Sequence, residues 1–232
     1  MIPIVQYYEV AGHRFAIEAT QSQFALLPNY TPFLIDEKAG TYMFIIRVQD
    51  IPTNEVRAYV DTAAILSYAL CTVEARTLLF HASVVVREGK GYLFLGRSGT
   101  GKSTHSQQWL QAFDDARLLN DDNPVVRIMS DGSVRVFGSP WSGKTPCYRN
   151  ENAAVAAMVQ LKQAPYNEMI LLKMTQAYPY ILASVSGLKL QPDIMNRLYE
   201  SIAQLLELVP VYELECLPTI EAAQLCAQTC LS

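Results

Sequence analysis

Apolar and polar positions alternate through most of the first sixty residues. Val5-Gln6-Tyr7-Tyr8-Glu9-Val10 and Arg14-Phe15-Ala16-Ile17-Glu18 flank Ala11-Gly12-His13, which predicts two strands and a hairpin-like connection. Leu27-Pro28-Asn29-Tyr30-Thr31-Pro32-Phe33 holds two prolines and predicts a loop. Thr41 to Val48 predicts another strand. From Val56 to Leu70 the apolar spacing becomes helical. Leu78 to Val86 then reads as one strand, Glu88-Gly89-Lys90-Gly91 as a turn, and Tyr92-Leu93-Phe94-Leu95 as a short buried strand. Thr104 to Phe113 predicts a helix, and Leu118-Leu119 a strand leading into Asn120-Asp121-Asp122-Asn123-Pro124.

Further strands are expected over Val125–Met129, Val134–Phe137 and Glu168–Lys173, while Ala156–Lys162 fits strand or helix. Thr175 opens a short helix to Ser184, and Asp193 is placed to cap an amphipathic helix ending near Leu208. Val211–Leu214 is a strand, and Pro218 sits near the first turn of a terminal helix reaching Cys230. The expected organisation is a β-rich N-terminal lobe over residues 1–72 and a core over 73–232.

Composition narrows the classes. Half of the 232 residues are hydrophobic and 17% are charged, enough for a sizeable core. Net charge is −4 and no basic run stands out, so nucleic acid is not an expected partner. Neither a signal peptide nor a run of about 18 uninterrupted apolar residues is read, so a cytoplasmic protein without a membrane partner is expected. The five cysteines are odd in number and scattered, which argues against a disulfide framework. Cys226 and Cys230 lie four apart on the terminal helix and read as core residues.

One motif changes the picture. Gly96-Arg97-Ser98-Gly99-Thr100-Gly101-Lys102-Ser103-Thr104 satisfies G-x-x-x-x-G-K-[ST], the Walker A phosphate-binding loop, between a predicted strand and a predicted helix. Its glycines let backbone N–H groups converge on anionic oxygens, and the helix N-terminus adds positive potential. Lys102 reaches terminal phosphates and the Ser103 hydroxyl can ligate Mg²⁺. The expected ligands are ATP and Mg²⁺. Asp121 and Asp122 follow after room for one helix and one returning strand. One carboxylate can hold the metal while its neighbour accepts a proton from an attacking hydroxyl. Asp121 is the preferred base and Asp122 the metal-side group, and the roles are interchangeable on sequence alone. The same residues also suit an Asx turn before Pro124.

Four other positions attract notice. His81 ends the strand before the loop hairpin, where an imidazole can donate to an oxygen or meet a metal, or is simply a satisfied strand-end histidine. Lys144 and Arg149, around Gly138-Ser139-Pro140-Trp141-Ser142-Gly143-Lys144-Thr145-Pro146, either stabilise the transferring phosphoryl group or are surface charges. Trp141 either stacks on a ligand or anchors its loop. His105 reads as solvent-facing or packed, and His13, in the hairpin turn, has no expected chemical role.

Phe80-His81-Ala82, Gly89-Lys90-Gly91, Gly96 to Ser103 and Asn120-Asp121-Asp122 occur in an order that resembles the HPr kinase/phosphorylase and phosphoenolpyruvate carboxykinase superfamily. The resemblance covers residues 78–150 and is nearer to compact HPr-kinase-related proteins than to the larger carboxykinases. It implies an α/β fold (an α+β mixed sheet), with a PEP-carboxykinase/HPr-kinase-like P-loop core and a small β-rich N-terminal lobe. It implies a kinase acting on a hydroxyl of a protein, peptide or small molecule, with His81 beside the phosphates. A nucleotide-binding accessory protein with little or no catalysis is the alternative. Within the lobe, Tyr30 and Phe33 are the expected contact residues for an acceptor, or they seal the lobe against the core. Homo-oligomerisation stays open.

Overall fold

The computed structural model describes residues 2–36, 40–143, 145–186 and 192–231. The chain opens with a hairpin of β1 (Ile4–Val10) and β2 (His13–Ala19), closed by the pair Val10 and His13. Ala11 and Gly12 both take positive φ, 51° and 79°, as a two-residue turn matched to strand twist requires. A four-residue helix, α1 (Gln21–Phe24), is capped reciprocally by Thr20 and Gln23. Pro28–Phe33 then forms a 3₁₀ turn where an open loop was expected. With β3 (Leu34–Ile35) and β4 (Ile45–Arg47), the hairpin makes a four-stranded sheet in the order β3-β1-β2-β4. The strand expected over Thr41–Val48 is only three residues long.

The helix α2 (Val56–Thr72) buries Val56, Val60, Ala64 and Tyr68, a stripe at four-residue spacing. With the turn that follows, Val56–Ala75 is long and apolar enough to cross a membrane by length and composition. Its buried stripe belongs to the protein core instead, and the Tyr68 hydroxyl donates to the Val10 carbonyl at 2.8 Å.

The rest of the chain builds a nine-stranded mixed sheet. Its elements are β5 (Thr77–Leu79), β6 (Ala82–Arg87), β7 (Lys90–Leu95), α3 (Lys102–Ala112), β8 (Arg117–Asp122), β9 (Val125–Ile128), β10 (Val134–Phe137), β11 (Asn152–Gln163), β12 (Glu168–Leu171), α4 (Met174–Ser184), α5 (Pro192–Leu208), β13 (Val211–Cys216) and α6 (Ile220–Leu231). The strands follow the path β5-β9-β10-β11-β7-β6-β8, and β13 joins β11 with β12 outside it. β7 and β13 run parallel to β11, whereas β6 is antiparallel to both β7 and β8.

Three expectations change. Leu78–Val86 is not one strand. It breaks at Phe80-His81, where Phe80 N–H donates to the Pro124 carbonyl at 3.0 Å and His81 N–H to the Ser184 carbonyl at 2.6 Å. His81 therefore lies between two strands rather than at the end of one. Asp193 lies inside α5, which begins at Pro192, and its side chain falls outside the described residues. Pro218 stands two residues before α6, not in its first turn.

Alternation along β7 divides the apolar core. Tyr92 and Phe94 pack with Trp109 of α3 and Cys226 of α6 on one face. Leu93 and Leu95 face the other way, into a cluster that continues through α2 and α4 to Tyr8, Phe15, Tyr30 and Phe33 of the N-terminal segment. Full burial of one such side chain contributes roughly 1.5–3 kcal/mol.

Candidate phosphate-binding site

β7 ends at Leu95 and the chain turns through Gly96–Gly101 into α3. Gly96, Gly99 and Gly101 take φ of 147°, 84° and 110°, conformations that L side chains disfavour. Gly101 is the N-cap and brings no side chain to the first turn, so no side-chain cap competes for its N–H groups. The turn is held from within and from outside. Thr100 Oγ1 donates to the Arg97 carbonyl at 2.7 Å, and Gln163 Nε2, from the end of β11, donates to the carbonyls of Gly99 and Thr100. Ser106 of α3 shares a 2.6 Å hydroxyl contact with Ser83 of β6.

Lys102 is buried, and its Nζ donates to the Gly96 carbonyl at 2.8 Å and stands 3.0 Å from His81 Nε2. Burial lowers its pKa, against the pull of Asp122 and Asp121. His81 Nδ1 lies 2.8 Å from Asp122 Oδ1. Ser103 Oγ donates to Asp121 Oδ1 at 3.0 Å. Two short chains thus meet at the start of α3, Ser103–Asp121 and Lys102–His81–Asp122. A cavity of about 500 Å³ is lined by these five residues with Ser98, Gly99, Gly101, Thr104 and Gly143.

The acidic pair is placed by β8, where Asp121 pairs with Ser83 and Asp122 with Ala82. Asp122 takes φ 146°, a conformation rare for a residue with a side chain and one that accumulates at functional positions. Asn123 Nδ2 donates to Asp122 Oδ2 at 3.0 Å. The loop after β10 backs the pair. Gly143 N–H donates to the Asp121 carbonyl, and Ser142 Oγ reaches the same oxygen. A Cβ on Gly143 would lie 3.0 Å from the Asp121 carbonyl and 3.1 Å from Asp122 Cβ. Asn120, fully buried, ties the two segments by donating to the Trp141 carbonyl and accepting from Asn123 N–H.

Other residues fall elsewhere. Arg149 is exposed, pairs with Glu151 at 3.5 Å and does not line the phosphate cavity. Lys144 lies outside the described residues. Trp141 is buried and anchors its loop. His105 is buried, accepts from Trp109 Nε1 at 3.1 Å, and is pushed down to about 4 by burial. His13 is also buried, 2.9 Å from Thr77 Oγ1. Tyr30 and Phe33 are fully buried, so they seal the N-terminal sheet and present no contact surface.

The turn that carries them nevertheless meets the site loop. Asn29 Nδ2 donates to the Pro140 carbonyl at 3.0 Å and Asn150 Nδ2 to the Pro32 carbonyl at 2.9 Å. Asn29, Asp61 and Ser139 support this loop and were not singled out as functional in the sequence. A polar residue gives no pattern that separates support from solvation.

No family model and no curated protein matches the sequence. Among solved structures, the HPr(Ser) kinase/phosphatase of Coxiella burnetii is similar at 13% identity with a TM-score of 0.37. The alignment covers 66% of this chain and 87% of that one. A likeness of that size carries no argument about activity, which rests on the geometry above.

Proposed function

We propose that the chain is a phosphotransferase that binds ATP with Mg²⁺ and passes the γ-phosphoryl group to a hydroxyl. The observation that carries the reading is the convergence of Lys102, Ser103, Asp121, Asp122 and His81 on one cavity at the N-terminus of α3. The loop N–H groups and Lys102 hold the phosphates. Among the described residues no group of three or more His, Cys, Asp or Glu could hold a metal. The hydroxyl of Ser103 and the carboxylate of Asp121 suit an ion that takes few protein ligands and shares the rest with phosphate oxygens and water. Bound there, Mg²⁺ neutralises charge that develops on the phosphate oxygens.

The geometry favours the reverse of the first assignment of roles. Asp121 is engaged with Ser103 and suits the metal side, while Asp122, oriented by His81, is placed to accept the proton of an attacking hydroxyl. The acceptor enters through a neighbouring cavity of about 840 Å³ lined by His81, Ser98, Tyr180, Ala183 and Ser184.

Titration calorimetry with ATP and Mg²⁺, followed by transfer of labelled γ-phosphate to cell extract fractions, tests the reading. Asp122→Asn should keep ATP affinity and lose transfer. A wild-type chain that binds no nucleotide would refute the proposal. The second reading, a nucleotide-binding accessory protein, is favoured by one observation. Lys102 is the one Lys or Arg side chain among the described residues lining the phosphate cavity. Tight ATP binding without transfer to any fraction would select it.

A further inference from the structure

The cavity of about 840 Å³ beside the phosphate loop carries an unbalanced charge. His81, Arg97 and Lys162 are among its lining residues, and none of the described residues that line it is an Asp or a Glu. Two of the three basic groups are already paired inside the protein. His81 Nδ1 lies 2.8 Å from Asp122 Oδ1. Lys162 Nζ lies 2.8 Å from Glu213 Oε2, and the Tyr180 hydroxyl donates to the same oxygen at 2.9 Å. Arg97 is different. It is exposed, and its guanidinium has no hydrogen-bond or ion-pair partner among the described residues.

The backbone fixes where this residue stands. The Arg97 carbonyl accepts from Thr100 N–H at 3.1 Å, from Thr100 Oγ1 at 2.7 Å and from Lys102 Nζ at 3.4 Å. Arg97 lines the wider cavity and does not line the phosphate cavity, whereas its neighbour Ser98 lines both. A guanidinium is a planar fork of N–H donors that matches two oxygens of a carboxylate or a phosphate. ATP brings negative charge to the adjoining cavity, so an anionic acceptor approaches only where a cation offsets the repulsion. We propose that the acceptor hydroxyl belongs to a compound that also bears a carboxylate or phosphate group, and that Arg97 selects this compound by binding its oxyanion. The inference rests on the phosphotransferase reading and supplies the class of acceptor. In the transfer the acceptor oxygen forms its bond to the γ-phosphorus, and the bond from that phosphorus to the bridging oxygen breaks to release ADP. The hydroxyl proton passes to Asp122. Arg97 is a positioning residue in this scheme. It holds the anion so that the hydroxyl meets the phosphorus in line, and a neutral alcohol gains nothing from it.

The test measures transfer of labelled γ-phosphate from ATP with Mg²⁺ by the full chain, with cell extract as the source of acceptor. The extract is split into a low-molecular-weight filtrate and the retained macromolecules, and each part is passed over an anion-exchange resin. Acceptor capacity should reside in material that the resin holds. Arg97→Gln should raise the amount of that material needed for half-maximal rate at least tenfold and leave the maximal rate within threefold. Arg97→Lys should recover part of the loss, since it restores the charge without the fork. ATP affinity, read by calorimetry, should stay within threefold in both variants. Phosphatase treatment of the held material before the assay separates the two sources of charge. Lost capacity marks a phosphate on the acceptor, and retained capacity marks a carboxylate.

Retained ATP affinity also reports that each variant is folded. Acceptor capacity found only in material that passes the resin would overturn the inference. So would an unchanged half-saturation in Arg97→Gln. A loss of ATP affinity in that variant as large as its loss of acceptor would assign the guanidinium to the nucleotide phosphates and overturn it as well. In these three cases the wild type still transfers phosphate, and the phosphotransferase reading survives. ATP bound without transfer to any fraction would remove that reading and the acceptor class with it.

Discussion

Trp141 donates its indole N–H to the hydroxyl oxygen of Tyr30 at 3.0 Å, joining the loop behind the acidic pair to the N-terminal sheet. The Tyr30 hydroxyl passes its own proton to Asp61 Oδ1 at 2.8 Å, and Asn29 donates to the same carboxylate oxygen and to the Pro140 carbonyl. Removing the shared hydroxyl in Tyr30→Phe leaves a buried indole N–H without its acceptor and takes from Asp61 Oδ1 one of its two donors. The expected cost is about 1–3 kcal/mol of folding free energy, read from urea denaturation. Transfer should fall as well, because the loop that holds Gly143 against Asp121 loosens. An unchanged urea midpoint would show that the relay contributes nothing.

Gly143 and Gly138 separate function from folding. An alanine Cβ at 143 would press on Asp121 O and Asp122 Cβ at 3.0 and 3.1 Å, a small shift aimed at the acidic pair. Gly143→Ala should reduce phosphoryl transfer at least tenfold with little change in melting temperature. At 138 the added Cβ would come within 2.0 Å of the Arg149 carbonyl oxygen, which is backbone and cannot yield locally. Gly138→Ala should destabilise the protein by on the order of 1–3 kcal/mol, measured by thermal melting.

Lys102→Ala should weaken ATP binding by about 1.5–3 kcal/mol, roughly ten- to a hundredfold, through loss of a charge-assisted contact. Calorimetry on the folded variant is the measurement. Retained affinity would mean that the loop backbone alone holds the phosphates.

Stability should fall on acidification between pH 6.5 and 4. His105 titrates near 6.5 when unfolded and near 4 in the fold, so protons bind the unfolded chain first across this window. Above pH 6.5 both states are neutral at this residue and nothing is lost. Below 4 the full penalty applies, on the order of 3 kcal/mol for the buried His105. His13, also lowered to about 4, acts in the same direction. Urea midpoints against pH for wild type and His105→Gln provide the check. The variant keeps an acceptor for Trp109 and should show a shallower decline.

The strand, glycine-rich turn and helix over Tyr92–Ala112, and the strand that carries Asp121 and Asp122, were legible because their pattern is local in sequence. Glycines, a lysine and a hydroxyl stand at fixed offsets, and two adjacent aspartates end an apolar strand. The alternation of β7 was legible for the same reason. The break at Phe80-His81 was not, since Leu78–Val86 is apolar enough for one strand and the interruption is set by carbonyls of Pro124 and Ser184. The short β4 was hidden too. Thr41 to Val48 has strand character throughout, but only Ile45–Arg47 keeps ladder register with β2, while Met43, Phe44 and Val48 share single backbone hydrogen bonds with it. Arg149 looked suitable by proximity in sequence, and Glu151, two residues away, holds it instead.

β7 is walled by apolar side chains on both faces, and it is the strand from which the phosphate loop springs. Its backbone amides should therefore exchange with solvent only when the whole protein opens. A ligand gripped at such a place is coupled to global unfolding rather than to the fraying of one segment. Each tenfold excess over the dissociation constant then adds about 1.4 kcal/mol to the stability of the entire chain. If the loop holds a nucleotide as proposed, the melting temperature becomes a direct gauge of occupancy by which candidate nucleotides can be ranked.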